Sequence, residues 1–111
     1  MRVFKEEGRM EIEFSDGVTH SLPAEYLRVE SPSAEVQGHG PSQKKIVSGR
    51  RHVKIAAVEP VGHYAIRIVF DDRHDSGIYS WSYLRELGDS YAEKWAAYQA
   101  ALLYRGLSRD A

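Results

Sequence analysis

The side chains with the most obvious potential for chemistry lie close together at positions 71–75. Asp71, Asp72, His74 and Asp75 combine three carboxylates with one imidazole, and such a set can hold a divalent cation. Short acidic segments between strands are more often solvated turns, in which Asp caps backbone N–H groups. We therefore favour a turn here, and we keep a metal site formed by His74, Asp72 and Asp75 as the alternative.

A glycine-rich loop at positions 35–41 is the best candidate for binding a partner. Gly38 and Gly40 flank His39, so a ligand could approach the backbone closely while the imidazole donates a hydrogen bond. The loop lacks the Gly-Lys-Ser/Thr ending of a phosphate-binding P-loop. A purely connecting loop that needs glycine for its backbone angles is the equally weighted alternative.

The composition excludes several classes of chemistry. The 111 residues include no cysteine, which removes disulfides, cysteine-ligated zinc or iron–sulfur sites and a cysteine nucleophile. The five histidines follow no zinc-binding spacing, and no serine lies in a G-x-S-x-G turn. We therefore expect no cofactor and no catalytic residues.

The charges of the chain are nearly balanced, with 15 Lys and Arg against 16 Asp and Glu. This balance argues against nucleic acid or an anionic membrane as a partner. The first residues lack the apolar stretch of a signal peptide, and no apolar run approaches the roughly 18 residues of a membrane span. We expect a soluble, cytoplasmic protein whose partner is another protein.

Alternating hydrophobicity predicts the strands that must position these residues. Residues 9–14 form one strand, and residues 18–22 return from a turn at positions 15–17. Residues 53–58 and 64–70 are the strongest strands, joined by a turn at positions 60–63, with 64–70 central in its sheet. A short strand at Ile78 and Tyr79 brings the total to about five, mostly antiparallel.

Helices are expected at three places. A short turn follows Pro23, a second helix covers positions 80–87 and stops at Gly88, and a third covers about 90–104. Its apolar stripe consists of Tyr91, Trp95, Tyr98 and Leu102. The chain is therefore predicted to be a single α+β domain over 1–111, with a core at about 9–88 and a C-terminal helix.

The remaining segments are expected to be irregular. Residues 31–45 form a loop, in which Ser31 and Pro32 could cap a single turn that reaches Val36. The basic residues at 43–52 are interpreted as a solvated hairpin edge, and residues 107–111 as a frayed tail.

Four segments together resemble a known family. They are Phe14-Ser15-Asp16-Gly17, residues 22–41, Glu59-Pro60-Val61-Gly62, and residues 70–88, which begin Phe-Asp-Asp-Arg-His-Asp-Ser-Gly-Ile-Tyr-Ser-Trp. They resemble the stand-alone bacterial members of the gamma-butyrobetaine hydroxylase N-terminal-like family, a domain of unknown function. Similar domains occur fused to P-loop ATPases of the Mrp type, implicated in iron–sulfur cluster assembly. The resemblance implies an accessory role.

The resemblance also bears on metal binding. In the hydroxylases the domain looks like a zinc binder with three cysteines and a histidine. Here Ser31, Ser33 and Val36 match the cysteine positions, and His74 resembles the histidine. Because hydroxyl and valine side chains cannot replace thiolates, we expect the zinc site to be absent. The resemblance further implies that the 28–41 loop and the 71–75 turn lie together, since the zinc ligands come from both.

Three hypotheses for the function follow. The first is a non-catalytic binding or adaptor module, accessory to iron–sulfur assembly or metabolic enzymes, with Arg28, Glu30, Glu35 and His39 at the partner site. The second is a metal-binding domain that uses His and Asp ligands. The third is a small enzyme with His39 or His74 beside an Asp. A homodimer through the C-terminal helix is a further possibility if that helix does not pack on the sheet.

Overall fold

The computed structural model describes residues 1–38 and 44–110. It has an α+β fold with two three-stranded antiparallel sheets, ordered β1-β2-β3 and β4-β5-β6. The elements in chain order are β1 (Arg2–Phe4), β2 (Arg9–Glu13), β3 (Thr19–Pro23), α1 (Ala24–Val29), α2 (Ala34–Gln37), β4 (Ile55–Val61), β5 (Ala65–Phe70), β6 (Gly77–Ser80), α3 (Trp81–Asp89) and α4 (Tyr91–Tyr104).

The first sheet follows the predicted alternation. Met10 and Ile12 point into the core from β2, and Met10 lies opposite Leu22 of β3. The turn between these strands is closed by the Phe14 N–H, which donates to the Val18 carbonyl at 2.8 Å. Gly17 adopts a φ of +88° there, a conformation that side chains disfavour. Strand β1 was not predicted, and it brings the total to six strands rather than about five.

In the second sheet, β5 is the central strand, as predicted, and it buries Ile66, Ile68 and Phe70. The predicted turn at 60–63 was wrong in its first half. Pro60 and Val61 continue β4 and lie opposite Ile66 and Ala65. Proline is tolerated in β4 because β4 is an edge strand, whose outward-facing N–H groups have no ladder partner.

Helix α3 was predicted to stop at Gly88, but it continues to Asp89. A Cβ atom added at Gly88 would lie 2.3 Å from the ring of His20, so this glycine permits a close approach of β3 to the helix. The predicted stripe of α4 is confirmed. Tyr98 and Leu102 are buried, and the Trp95 ring packs edge-on against Tyr26 with centroids 6.2 Å apart. Helix α4 therefore packs back onto the domain.

The basic segment and the tail differ from their predictions for one shared reason. Residues 44–54 form no strand, and two of their N–H groups pair with the tail. The Gly49 N–H donates to the Ser108 carbonyl at 2.9 Å, and the Arg51 N–H donates to the Arg109 carbonyl at 3.0 Å. Arg109 also binds both carboxylate oxygens of Glu25, so residues 108–109 are anchored. Within residues 1–38 and 44–110, no helix combines the length and apolar character that crossing a membrane requires.

Candidate functional site

The α1–α2 segment and the β5–β6 turn meet along a line of polar contacts, which we call the polar seam. Helix α1 ends at Val29, Pro32 follows, and Ser33 caps α2 by accepting a hydrogen bond from the Glu35 N–H at 3.2 Å. The cap is thus Ser33, not the expected Ser31. The polar seam comprises Arg28, Ser31, Ser33 and Glu35 on one side and Asp72, His74 and Ser76 on the other.

An ion pair forms one end of the polar seam. Arg28 Nε donates to Asp72 Oδ2 at 2.8 Å, and Arg50 Nε lies 2.8 Å from the same oxygen. Burial alone would raise the pKa of Asp72, but hydrogen bonds from Arg28 and the His74 N–H outweigh it and lower the pKa. The carboxylate is therefore ionised and holds two guanidinium groups, one of which, Arg28, is buried.

His74 occupies the centre of the polar seam and is buried. Its Nε2 lies 2.9 Å from Ser31 Oγ, and its Nδ1 lies 3.1 Å from Glu35 Oε2. Burial, with a smaller contribution from Arg28, lowers the pKa of His74, so the ring is neutral at pH 7. A carboxylate can only accept, so the hydrogen-bond network assigns the proton to Nδ1 and makes Nε2 the acceptor of the Ser31 hydroxyl.

Ser31, His74 and Glu35 thus share the connectivity of a Ser-His-acid hydrolase triad, but the accessibility is reversed. The Ser31 hydroxyl, which would be the nucleophile, is fully buried, whereas the Glu35 side chain is 71% exposed. Even a Cβ atom at Gly77 would lie 2.6 Å from Ser31 Oγ. No room remains beside that oxygen for a substrate carbonyl. The geometry of these three residues therefore suits a structural role, in which they hold the α1–α2 segment against the β5–β6 turn.

The predicted partner residues divide between the interior and the surface. Arg28 and Glu30 are buried, and Glu35 is exposed at the end of the polar seam. His39, with the rest of positions 39–43 of the predicted binding loop, lies outside the described residues. Arg28, Glu30 and Glu35 stay predicted partner residues, and Glu30 also lines the cleft described below.

The predicted metal ligands lie on different sides of the turn. His74 faces Ser31 and Glu35, Asp72 faces the two arginines, and Asp75 is exposed with Arg67 at 3.8 Å. Within the two described ranges, no group of three or more His, Asp or Glu side chains is arranged to hold a metal ion. Val36 is buried at the third of the cysteine positions. Metal binding at His74, Asp72 and Asp75 stays a prediction.

A cleft that the sequence did not predict lies beside the polar seam, between α4 and residues 44–47. Its volume is about 270 Å³, and we call it the lysine groove. Its lining consists of apolar residues, which we call the floor, and of Glu30, Lys44, Lys45 and Lys94, which we call the rim; the apolar members are Val29, Ile46, Val47, Ala97, Tyr98 and Ala101. The signal that could have indicated it is the row Lys94, Ala97, Ala101, whose spacings of three and four give α4 a second face.

Two hydrogen bonds fix the walls of the lysine groove. Lys44 Nζ binds Glu30 Oε1 at 2.6 Å, and the Tyr98 hydroxyl donates to the Val47 carbonyl at 2.6 Å. Burial raises the pKa of Tyr98 to about 12, so the hydroxyl remains a donor. Lys45 and Lys94, by contrast, make no ion pair with any residue that the structure describes.

Comparisons with known proteins give a family but no activity. Residues 1–85 match the family described as Gamma-butyrobetaine hydroxylase-like, N-terminal. One solution structure is 42% identical over 99% of this chain and 88% of its own, with a TM-score of 0.83. A second shares 42% identity over 97% of this chain and 80% of its own, also with a TM-score of 0.83.

A crystal structure from Acidithiobacillus ferrooxidans is also similar. It is 41% identical and covers 78% of this chain and 86% of its own, with a TM-score of 0.66. Its protein is described as one of unknown function that belongs to the DUF971 family. No curated protein matches the chain.

Proposed function

Since the chain belongs to the gamma-butyrobetaine hydroxylase-like N-terminal family, we propose that it is a non-catalytic module that binds a segment of a partner protein in the lysine groove. The observation that carries this proposal is the groove itself. It is a cleft that apolar and charged side chains line together, formed by three separate segments of the chain, and its walls are fixed by internal hydrogen bonds.

The size of the lysine groove is compatible with a segment of a polypeptide. Pockets for small molecules and cofactors typically enclose about 300–1,000 Å³ and surround most of the ligand. At about 270 Å³, the lysine groove lies near the lower end of that range. The volume suits a few side chains of a segment whose backbone remains outside, which is how peptide-binding grooves work.

The polar seam supports the proposal by holding one wall of the groove. Tyr83 donates its hydroxyl hydrogen to the Glu30 carbonyl, and the Glu30 N–H donates to the Tyr26 carbonyl at 3.1 Å. Arg28 ties the same segment to Asp72. A wall that is already ordered lowers the entropic cost of binding a partner. We propose that the partner protein takes part in iron–sulfur assembly or is a metabolic enzyme, as the resemblance implies.

Peptide display on the whole chain tests the proposal. Random peptides are selected on the wild-type protein and rescreened on Ala97→Arg, which puts a guanidinium group in the groove while keeping a good helix former. Ala96→Arg is the matched control, because Ala96 is exposed on α4 but does not line the groove. We expect binders that Ala96→Arg retains and Ala97→Arg loses. Binders that tolerate both variants, or an absence of binders, would refute the proposal, provided that both variants melt like the wild type.

A further inference from the structure

We infer that the partner segment is acidic and amphipathic, with apolar side chains that enter the lysine groove and carboxylates that meet its rim. This inference rests on the proposed function and names the chemistry of its partner. The groove was not predicted from the sequence, and its charge is the opposite of what the net charge of −1 would indicate. A segment that docks in the groove interacts with this local charge more strongly than with the net charge of the chain.

The rim of the lysine groove has an excess of positive charge. Glu30 is the one carboxylate among the described lining residues, and Lys44 already neutralises it at 2.6 Å. Lys45 and Lys94 remain without an ion pair among the described residues, so about two positive charges face the occupant. Carboxylates on a partner would complement them, whereas basic residues would be repelled.

The floor of the groove selects apolar side chains and disfavours nucleic acid. Val29 and Tyr98 are buried, and Ile46 and Val47 are half-buried, in a small cluster separate from the main core. The Tyr98 hydroxyl already donates its hydrogen bond to the Val47 carbonyl, so the part of Tyr98 that lines the groove is its apolar ring. A phosphate polymer would leave this floor unfilled, and none of the described lining residues offers an exposed aromatic ring for base stacking.

The length of the groove fits a short helical or extended segment. Lys94, Ala97 and Ala101 lie within eight residues of α4, and the seven steps between the first and the last correspond to about 10 Å along the helix axis. Two turns of an occupying helix cover that length, with apolar anchors three or four residues apart. The small side chains of Ala97 and Ala101 leave the space that such anchors fill.

The charges of the selected peptides test whether the partner segment is acidic. Peptides whose binding is lost on Ala97→Arg are sequenced, and their affinities are measured by fluorescence anisotropy on Lys45→Glu/Lys94→Glu. Lys5→Glu/Lys54→Glu is the matched control, because it changes the net charge equally at two exposed lysines outside the groove. We expect peptides rich in Asp, Glu and Leu-like residues, a loss of about tenfold or more on the groove variant, and weaker binding as salt is raised.

Several outcomes would overturn this inference while leaving the proposed function intact. Groove-dependent peptides that are basic or uncharged would do so, as would an affinity that the groove variant does not change. A self-association of the chain that Ala97→Arg abolishes would identify a second copy as the occupant. Failure to recover any groove-dependent peptide would instead remove the proposed function itself.

Discussion

The Arg28–Asp72 ion pair gives the sharpest prediction about stability. Asp72→Ala strands the Arg28 guanidinium, whose Nη1 is buried and already without a hydrogen-bond partner. Breaking a buried pair in this way costs about 3–5 kcal/mol. Because 20% of the Asp72 side chain and 10% of the Arg28 side chain remain exposed, we take the lower end, about 3 kcal/mol. For a domain of this size that lowers Tm by about 12 °C.

Urea unfolding followed by tryptophan fluorescence measures this cost. Asp75→Ala is the control in the same turn, because its side chain is 61% exposed and its arginine partner is 3.8 Å away. We expect it to cost at most about 0.5 kcal/mol. Adding Arg28→Met to Asp72→Ala should recover most of the loss, since the buried guanidinium is then gone and the remaining one, Arg50, has a side chain that is 35% exposed. Equal effects of the two Asp variants, or no recovery in the double variant, would refute the reasoning.

Three further predictions concern the polar seam. Gly77→Ala should lower the free energy of unfolding by about 2 kcal/mol, because the new Cβ would collide with Ser31 Oγ; a melting curve like that of the wild type would contradict the packing described. Below pH 6.5 the wild type should lose stability, since His74 takes up its proton more readily when unfolded than when folded. Urea titrations across this range should show a flatter profile for His74→Gln, and an unchanged slope would place the titrating group elsewhere. Elemental mass spectrometry of tag-free protein prepared without chelator should find no stoichiometric metal, because the described residues bring no three ligands together; one equivalent of zinc, iron or manganese per chain would restore the metal-binding hypothesis.

Much of the fold could be predicted because its signals are local. The alternation of Met10 and Ile12, and of Ile66, Ile68 and Phe70, placed β2 and β5 within one residue of their observed ends. Strand β1 is too short for any periodicity to be detected. The prediction that α3 stops at Gly88 was wrong because glycine can either end a helix or permit a close contact. Only the position of His20 distinguishes these two roles.

The site was less accessible from the sequence, because its parts are distant in the chain. Ser31 and His74 are 43 residues apart, and the family resemblance rather than any pattern placed them together. The lysine groove joins residues 29–30, 44–47 and α4, and none of these segments looks like a binding motif alone. Arg28 and Glu30 have the charges of surface residues, and their burial follows from partners supplied elsewhere, Asp72 and Lys44.

The pairing along the polar seam has an evolutionary consequence. Arg28 is paired with Asp72, and Ser33 Oγ lies 2.7 Å from Ser76 Oγ, so the side chains of the α1–α2 segment have partners 43 or 44 positions away. A substitution on one side leaves a desolvated polar group on the other. Sequence drift here should therefore proceed through paired replacements, and the two positions of each pair should covary among relatives. Lys45 and Lys94 of the groove have no such partner among the described residues, and they are free to change together with whatever binds there.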